Sequence, residues 1–281
     1  MIFPLLPRKK FTDKSHYGHV LVLAGSRSMS GAGQLVSWAA LSAGSGLVTV
    51  GSPRSTLRVF SKKALAEVMH LELPESSKGA LSAQAYPKII SFMRGRSVNC
   101  LAIGPGLTHE RGAASLVRKL VQTAVVPVVL DADGLNAFRG KTQQLKKHCS
   151  PLILTPHRKE FERLFSMDWP EKKSQRVVLA KKLSRSYDGT LVLKGHRTLV
   201  AQGNRVYENR TGNPGMAKGG SGDVLTGIIA AFVAQGLGPF EAACWGVHFH
   251  GRAGDLAVKT KGELSLLASD LIEFLPKAFK K

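Results

Sequence analysis

The segment Thr211–Gly227, TGNPGMAKGGSGDVLTG, combines the residue types from which an anion site is made. Gly219-Gly220-Ser221-Gly222-Asp223 runs into an apolar stretch, Val224-Leu225 and then Ile228–Ala234, which reads as a buried helix. The glycines therefore sit at a helix N-terminus, where unpaired N–H groups and the helix dipole favour negative charge. Glycine also lets backbone approach a phosphate with no Cβ in the way. Asp223 is the odd member, because a carboxylate repels a phosphate. Its presence makes sense as a general base that takes a proton from the group attacking phosphorus. An aspartate in a first helical turn is equally ordinary dipole complementation. The spacing matches neither a Walker A loop nor a GxGxxG fingerprint.

Four more loops carry candidate chemistry: 25–33, 104–108, 131–136 and 155–160. Each begins at or near the carboxyl end of an expected strand. With 211–223 they hold Asp131, Asp133, Glu160 and Asp223, together with His157 and Lys218. Several carboxylates beside phosphate-type glycine loops suggest Mg2+ bridging phosphate oxygens. Singly each has a plainer reading: Asp133 as the cap of a short helix at 134–138, Glu160 as a first-turn acid, His157 as a loop residue beside Arg158 and Lys159. Lys194-Gly195-His196-Arg197-Thr198 joins two expected strands. It is either a basic hairpin tip or a grip on a nucleotide. His248 and His250, two apart in a helix, face different ways and read as packing residues.

The positioning elements follow from the apolar runs. His19–Ala24, Leu47–Val50, Asn99–Ile103, Val125–Leu130 and Pro151–Leu154 are short, unbroken and apolar, as strands buried on both faces are. Thr190–Leu193, Thr198–Ala201 and Arg205–Glu208 are three further strands, with turn signals at Gly195 and Gly203-Asn204. Helices are expected over 34–43, 82–93, 111–123, 172–187, 240–259 and 269–279, and an amphipathic stretch over 54–70. Residues 1–18, with Pro4 and Pro7, read as an irregular leading segment. Thr155 is a candidate N-cap, with Pro156 at the first helical position. Strands alternating with helices predict a mostly parallel sheet covered on both faces. No repeat or linker breaks the chain, so residues 1–281 are expected to form a single domain.

Composition narrows the classes. Lys and Arg outnumber Asp and Glu by 40 to 19, a net charge of +21, which favours anionic partners. Only 7% of residues are aromatic and the basic clusters are scattered, so a nucleic-acid-binding face is not expected. Cys100, Cys149 and Cys244 form no CxxC, which favours a reducing compartment and argues against structural zinc. The N-terminus is charged too early for a signal peptide, and no run approaches membrane-spanning length. A cytoplasmic protein with no membrane contact is expected.

Seven stretches together resemble one family. They are Tyr17–Ser26, Ala43–Val50, AIGPGL at 102–107, VLDADGLN at 129–136, LTPH at 154–157, Leu193-Lys194-Gly195 with Thr198, and Thr211–Gly227. Their order and residues resemble the ADP- or ATP-dependent NAD(P)H-hydrate dehydratases, carbohydrate-kinase-related repair enzymes with a ribokinase-like fold. The resemblance implies a three-layer α/β sandwich and a carbon–oxygen lyase that returns 6-hydroxylated NADH or NADPH to the intact cofactor. A nucleoside phosphate activates the hydroxyl, phosphate leaves and the double bond returns, with AMP formed from ADP. It further implies Asp223 as catalytic base and Gly220, Ser221 and Gly222 as the anion hole. Ala43, Gly106, His157 and Asp223 would line the hydrated-nicotinamide site. Lys194, Gly195, His196, Arg197, Thr198 and Gly222 would line the nucleotide site, with Glu160 positioning Mg2+. ADP or ATP is the expected co-substrate. The epimerase domain fused in many relatives is expected to be absent, its step falling to a separate protein, and a homo-oligomer, a tetramer in many relatives, is expected. A small-molecule kinase of the same fold is the alternative activity.

Overall fold

A computed structural model describes residues 8–60 and 66–280. Residues 1–7 of the leading segment, with Pro4 and Pro7, and residues 61–65 of the amphipathic stretch lie outside the described residues.

Among the described residues nine strands form one sheet: β1 His19–Leu23, β2 Leu47–Pro53, β3 Met69–Leu73, β4 Cys100–Ile103, β5 Val128–Leu130, β6 Leu152–Leu154, β7 Thr190–Leu193, β8 Leu199–Gln202 and β9 Arg205–Glu208. The spatial order is β3-β2-β1-β4-β5-β6-β7-β8-β9. Pairing is parallel from β3 across to β7 and antiparallel for β7-β8-β9. The helices are α1 Ser30–Ser42, α2 Arg54–Phe60, α3 Tyr86–Gly95, α4 Arg111–Thr123, α5 Asp133–Asn136, α6 Arg158–Phe165, α7 Lys173–Ser186, α8 Ser221–Ala234, α9 Pro239–Ser265 and α10 Ala268–Phe279.

The unbroken apolar strands bury both faces of the sheet. Val20 and Val22 of β1 join a core with α1, α8, α9 and α10. Leu21 and Leu23, pointing the other way, join a second core with α3, α4, α6 and α7. Three layers result, as expected. The chain runs outward from β1 to β2 and β3, then returns to place β4 on the other side of β1. That reversal leaves a crevice beyond the carboxyl ends of β1 and β4, where open α/β sheets take ligands. The two loops meet there: the Gly25 N–H donates to the Pro105 carbonyl at 2.8 Å.

Several boundaries differ from the sequence reading. The stretch 54–70 contains a short helix, α2, and then the edge strand β3, whose Met-His-Leu-Glu-Leu alternates with mostly exposed residues. Its pairing carries β2 on to Pro53. β5 starts only at Val128, because Pro127 has no N–H to give the ladder, although its carbonyl accepts from Leu101. Thr155 does not cap α6. His157 does, and Thr155 is buried with its hydroxyl toward the Leu130 carbonyl. The α9 backbone breaks at Gly262, where φ is +71°.

Helix α8 is buried along its whole length from Val224 to Ala234 and packs closely on α1. Gly227 permits that approach, since a Cβ there would lie 2.3 Å from the Val36 carbonyl oxygen. Both helices begin at the crevice, so their contact sets the relative position of two of its walls. Gly227→Ala is expected to destabilise the protein by about 2 kcal/mol or more through this overpacking. Urea denaturation of the variant against the parent protein measures it.

Candidate active site

Three carboxylates and one ammonium meet beneath the N-terminus of α8. Lys194, at the end of β7, reaches back across the sheet edge. Its Nζ lies 2.6 Å from Asp131 Oδ1 and 3.5 Å from Glu160 Oε2. The Thr226 hydroxyl donates to the other Asp131 oxygen at 2.8 Å, tying α8 to the end of β5. The side chains of Asp131 and Glu160 are 1% and 7% exposed and that of Lys194 14%, so this is a buried ion triad. Burial opposes the charge on Lys194, but Asp131 and Glu160 outweigh it and hold the ammonium above its ordinary range. For Glu160 the balance runs the other way. Burial raises its carboxyl and the lysine offsets only part of that.

Asp223 stands one turn into α8, above this triad. Its carboxyl has no hydrogen-bond partner among the described residues. Burial, and then the charge of Asp131, push its pKa up to about 7, with Lys194 pulling the other way. Around it the helix leaves donors free. Gly220, the N-cap, has φ +89° and supplies no side-chain cap. The Ser221 N–H turns to the Lys218 carbonyl at 3.3 Å, and Val224 N–H closes on Gly220 at 3.1 Å. The N–H groups of Gly222 and Asp223 have no acceptor among the described residues. Gly222 is also the point of closest approach to the lysine, for a Cβ there would sit 3.2 Å from Lys194 Nζ.

His157 and Glu160 lock one another at the start of α6. His157 Nδ1 accepts from the N–H groups of Lys159 and Glu160, at 3.1 and 3.4 Å. The His157 N–H donates to Glu160 Oε2 at 2.9 Å. With Nδ1 an acceptor, the ring proton belongs on Nε2, 3.3 Å from Glu160 Oε1. Burial and then the Lys194 charge hold the imidazole below its ordinary pKa. Asp133 caps nothing on its own helix. It accepts from the Thr108 N–H at 2.9 Å and so fixes the loop after β4. Between Asp131 and Asp133, Ala132 has φ +48°, a costly conformation for a residue with a side chain. Gly106 on the loop after β4 has φ +68°, and a Cβ there would press on Met29 and Ala32 at the start of α1.

The hairpin tip lies to one side. His196, Arg197 and Asn209–Gly212 line a cavity of about 370 Å3. Thr198 closes the turn on Gly195, donating to its carbonyl at 2.9 Å. Gly212 is held by Asp255 of α9, whose Oδ2 accepts its N–H at 2.9 Å. Among the described residues no three His, Cys, Asp or Glu side chains are grouped to enclose a metal. The cleft oxygens are nonetheless hard donors of the kind Mg2+ takes when phosphates and water complete its shell.

Residues 20–277 match the profile of a family described as NAD(P)H-hydrate dehydratase. The chain belongs to that family. It is 44% identical over 273 residues to the bifunctional NAD(P)H-hydrate repair enzyme Nnr of Moorella thermoacetica, covering 96% of this chain and 51% of that protein. The chain thus spans about half the length of such bifunctional relatives. It is 36% identical over 269 residues to the ADP-dependent (S)-NAD(P)H-hydrate dehydratase of Neisseria meningitidis, covering 94% of this chain and 86% of that one. The ADP/ATP-dependent NAD(P)H-hydrate dehydratase of Bacillus subtilis, co-crystallised with ATP and Mg2+, superposes with a TM-score of 0.82 at 30% identity, over 98% of this chain and 93% of that one.

The dehydratase fold thus gathers most, but not all, of the residues marked in the sequence. Asp223, Gly222, Glu160, His157 and Lys194 converge. Gly220 and Gly106 border the same crevice. Ala43 does not. It ends α1, where its carbonyl accepts from Gln235 at the far end of α8, roughly 18 Å along that helix from Asp223 at 1.5 Å per residue. Ser221 contributes no free N–H. Lys194 is turned inward to the carboxylates instead of out along the hairpin. Lys218 is committed to the Leu264 carbonyl. His250, which the sequence suggests as packing, reaches Ser221. Nothing in the local pattern signals that contact, because the partners lie 29 residues apart on different helices.

Two expectations follow from the electrostatics. The Asp223 carboxyl ionises near pH 4 in the unfolded chain and near 7 in the folded one, so its charge opposes folding. That penalty is absent below pH 4, grows between 4 and 7 and is complete above. Asp223→Asn should therefore raise Tm by about 3 °C or more at pH 8 and leave it unchanged near pH 4. Lys194→Met should cost about 3 kcal/mol or more, because it strands Asp131 and Glu160 without a counter-charge. Thermal and urea unfolding read the two effects.

Proposed function

We propose that this chain uses ADP or ATP to dehydrate 6-hydroxylated NADH and NADPH back to the working cofactor. The observation that carries the reading is Asp223, an unpartnered carboxyl with a pKa near neutrality, placed beside two free backbone donors at the start of α8. A base works best when its pKa lies close to the operating pH. The names of the relatives in Moorella, Neisseria and Bacillus point to the same substrates.

Asp223 takes the proton of the ring hydroxyl as its oxygen attacks the terminal phosphorus of the nucleotide. The phosphorus–oxygen bond to the leaving AMP or ADP breaks. The Gly222 and Asp223 N–H groups face the transferring phosphoryl and stabilise charge gathering on its oxygens. The ring carbon–oxygen bond then breaks with phosphate as leaving group, a neighbouring ring proton is lost and the double bond returns. Hydroxide leaves poorly and phosphate well, which is why the step is coupled to a nucleotide. Gly106 and His157 border the hydrated ring, and His157 acts by holding Glu160 in place. His196 and Arg197 line the 370 Å3 cavity on the nucleotide side, and Gly195 and Thr198 close the turn that carries them. Lys194 supports it from below as counter-charge to Asp131. Glu160 would help to position a Mg2+ bound to the nucleotide's phosphates, and the metal would neutralise phosphate charge there. Ala43 has no part in the cleft.

The wider setting belongs to the same proposal. The bifunctional relatives support a second NAD(P)H-hydrate repair step, an epimerisation, alongside this one. Three free cysteines suit a reducing cytoplasm, and among the described residues no helix is long and apolar enough to cross a membrane. A homo-tetramer is supported by the uncharged helix α1, with Leu35, Trp38 and Leu41 only partly buried. Light scattering tests it.

Incubation with hydrated NADH, Mg2+ and either nucleotide should restore the dihydronicotinamide absorbance and release AMP from ADP. A stable phosphorylated alcohol in its place would make the protein a kinase. Asp223→Asn should lower turnover by about 10²- to 10⁴-fold while nucleotide binding persists. In the parent enzyme kcat/KM should rise with pH through a limb near 7, as Asp223 loses its proton, and then level off. A variant with near-normal turnover would remove Asp223 from the chemistry.

A further inference from the structure

We propose that His250 is a positioning residue that aims and polarises the peptide between Ser221 and Gly222, whose N–H faces the transferring phosphoryl. The inference rests on the reading of the α8 N-terminus given above.

His250 lies on α9, and its Nε2 is 2.9 Å from the Ser221 carbonyl oxygen and 3.3 Å from Ser221 Oγ. The carbonyl of Ser221 and the N–H of Gly222 belong to one planar trans peptide, so they point in opposite directions. Anchoring the oxygen fixes the direction of the N–H. A donor on the oxygen also draws electron density through the amide and makes the N–H a stronger donor in its turn. The effect falls where it counts. Of the first amides of α8, Ser221 and Val224 already have acceptors in Lys218 and Gly220. Gly222 is one of the two left, and it faces Lys194 with no Cβ between.

The imidazole stays neutral at working pH. Burial is the main cause and the Lys194 charge adds to it, while the Ser221 carbonyl pulls the other way, leaving a pKa of about 4. A neutral ring with Nε2 against a carbonyl carries its proton on Nε2. The same nitrogen therefore cannot accept the Ser221 hydroxyl proton, which excludes Ser221 and His250 as a nucleophile and base pair.

Two amide substitutions separate positioning from packing. In His250→Gln the side-chain N–H2 falls close to the place of Nε2. In His250→Asn it stops short, near Nδ1, and does not reach Ser221. The expected result is a kcat lowered by about 10- to 100-fold in the Asn variant, with both KM values and the Gln variant's kcat within about threefold of the parent. Alongside, the Gly222 amide proton resonance should move upfield in the Asn variant and hold its place in the Gln variant. Equal losses in the two, unchanged kcat in both, or a loss confined to KM would overturn the proposal. If the Asn variant does not fold, the Gln variant decides alone: a lost kcat or a shifted Gly222 resonance would overturn it. If the parent enzyme itself does not turn over hydrated NADH, the functional reading fails. The Gly222 resonance then still reports whether His250 polarises that peptide.

Discussion

One buried ammonium sets the terms for the rest of the site. Lys194 lies between Asp131 and Glu160 and directly under Gly222. Without it, three carboxylates would crowd a largely buried space with no counter-charge. With it, Asp131 stays paired and accepts from Thr226, Glu160 stays free to lock His157, and of the three, among the described residues, only Asp223 is left unpaired. The arrangement divides labour among like groups. Two acids are neutralised by a cation, and the third keeps a raised pKa because burial and the Asp131 charge outweigh its share of that cation. Strands β5, β6 and β7 are parallel neighbours, which is how residues separated by some sixty positions arrive at one edge together.

The layered fold was legible in the sequence because burial on both faces writes itself into unbroken apolar runs. His19–Leu23 and Leu152–Leu154 could hardly be anything else. What escaped notice was the edge strand Met69–Leu73, which is half exposed and follows a stretch with helical character. The boundary at β5 was blurred by Pro127, whose apolar neighbours continue the pattern although its missing N–H ends the ladder. At the site, glycine and acid content marked the loops that meet. Side-chain direction was not marked. Lys194 on a hairpin tip suggests an outward cation, and only the proximity of Asp131, sixty-three residues earlier, turns it inward. His250 was illegible for the same reason. Ala43 shows the converse limit, since the resemblance implies it beside the ring site and the fold places it at the far end of α8 from Asp223.

The overall charge and the local charge point in opposite directions. The chain carries +21, yet the crevice gathers Asp131, Asp133, Glu160 and Asp223. A positive exterior draws phosphate-bearing molecules in from a distance, within the reach that salt permits. On the proposed function, nucleotide binding inside the crevice would rest on backbone N–H groups and on phosphates neutralised by Mg2+. This favours compact nucleotides over long polyanions, whose every phosphate seeks its own positive partner.

Helix α8 has no wet side: every residue from Val224 to Ala234 is enclosed by the sheet and by α1, α9 and α10. Its partly exposed first turn, 221–223, is therefore rooted directly in that enclosed interior, unlike the ends of surface helices. The floor of the cleft behaves as an anvil. Thermal loss of activity should then coincide with global melting, because no milder opening dismantles the donors without also breaking the core.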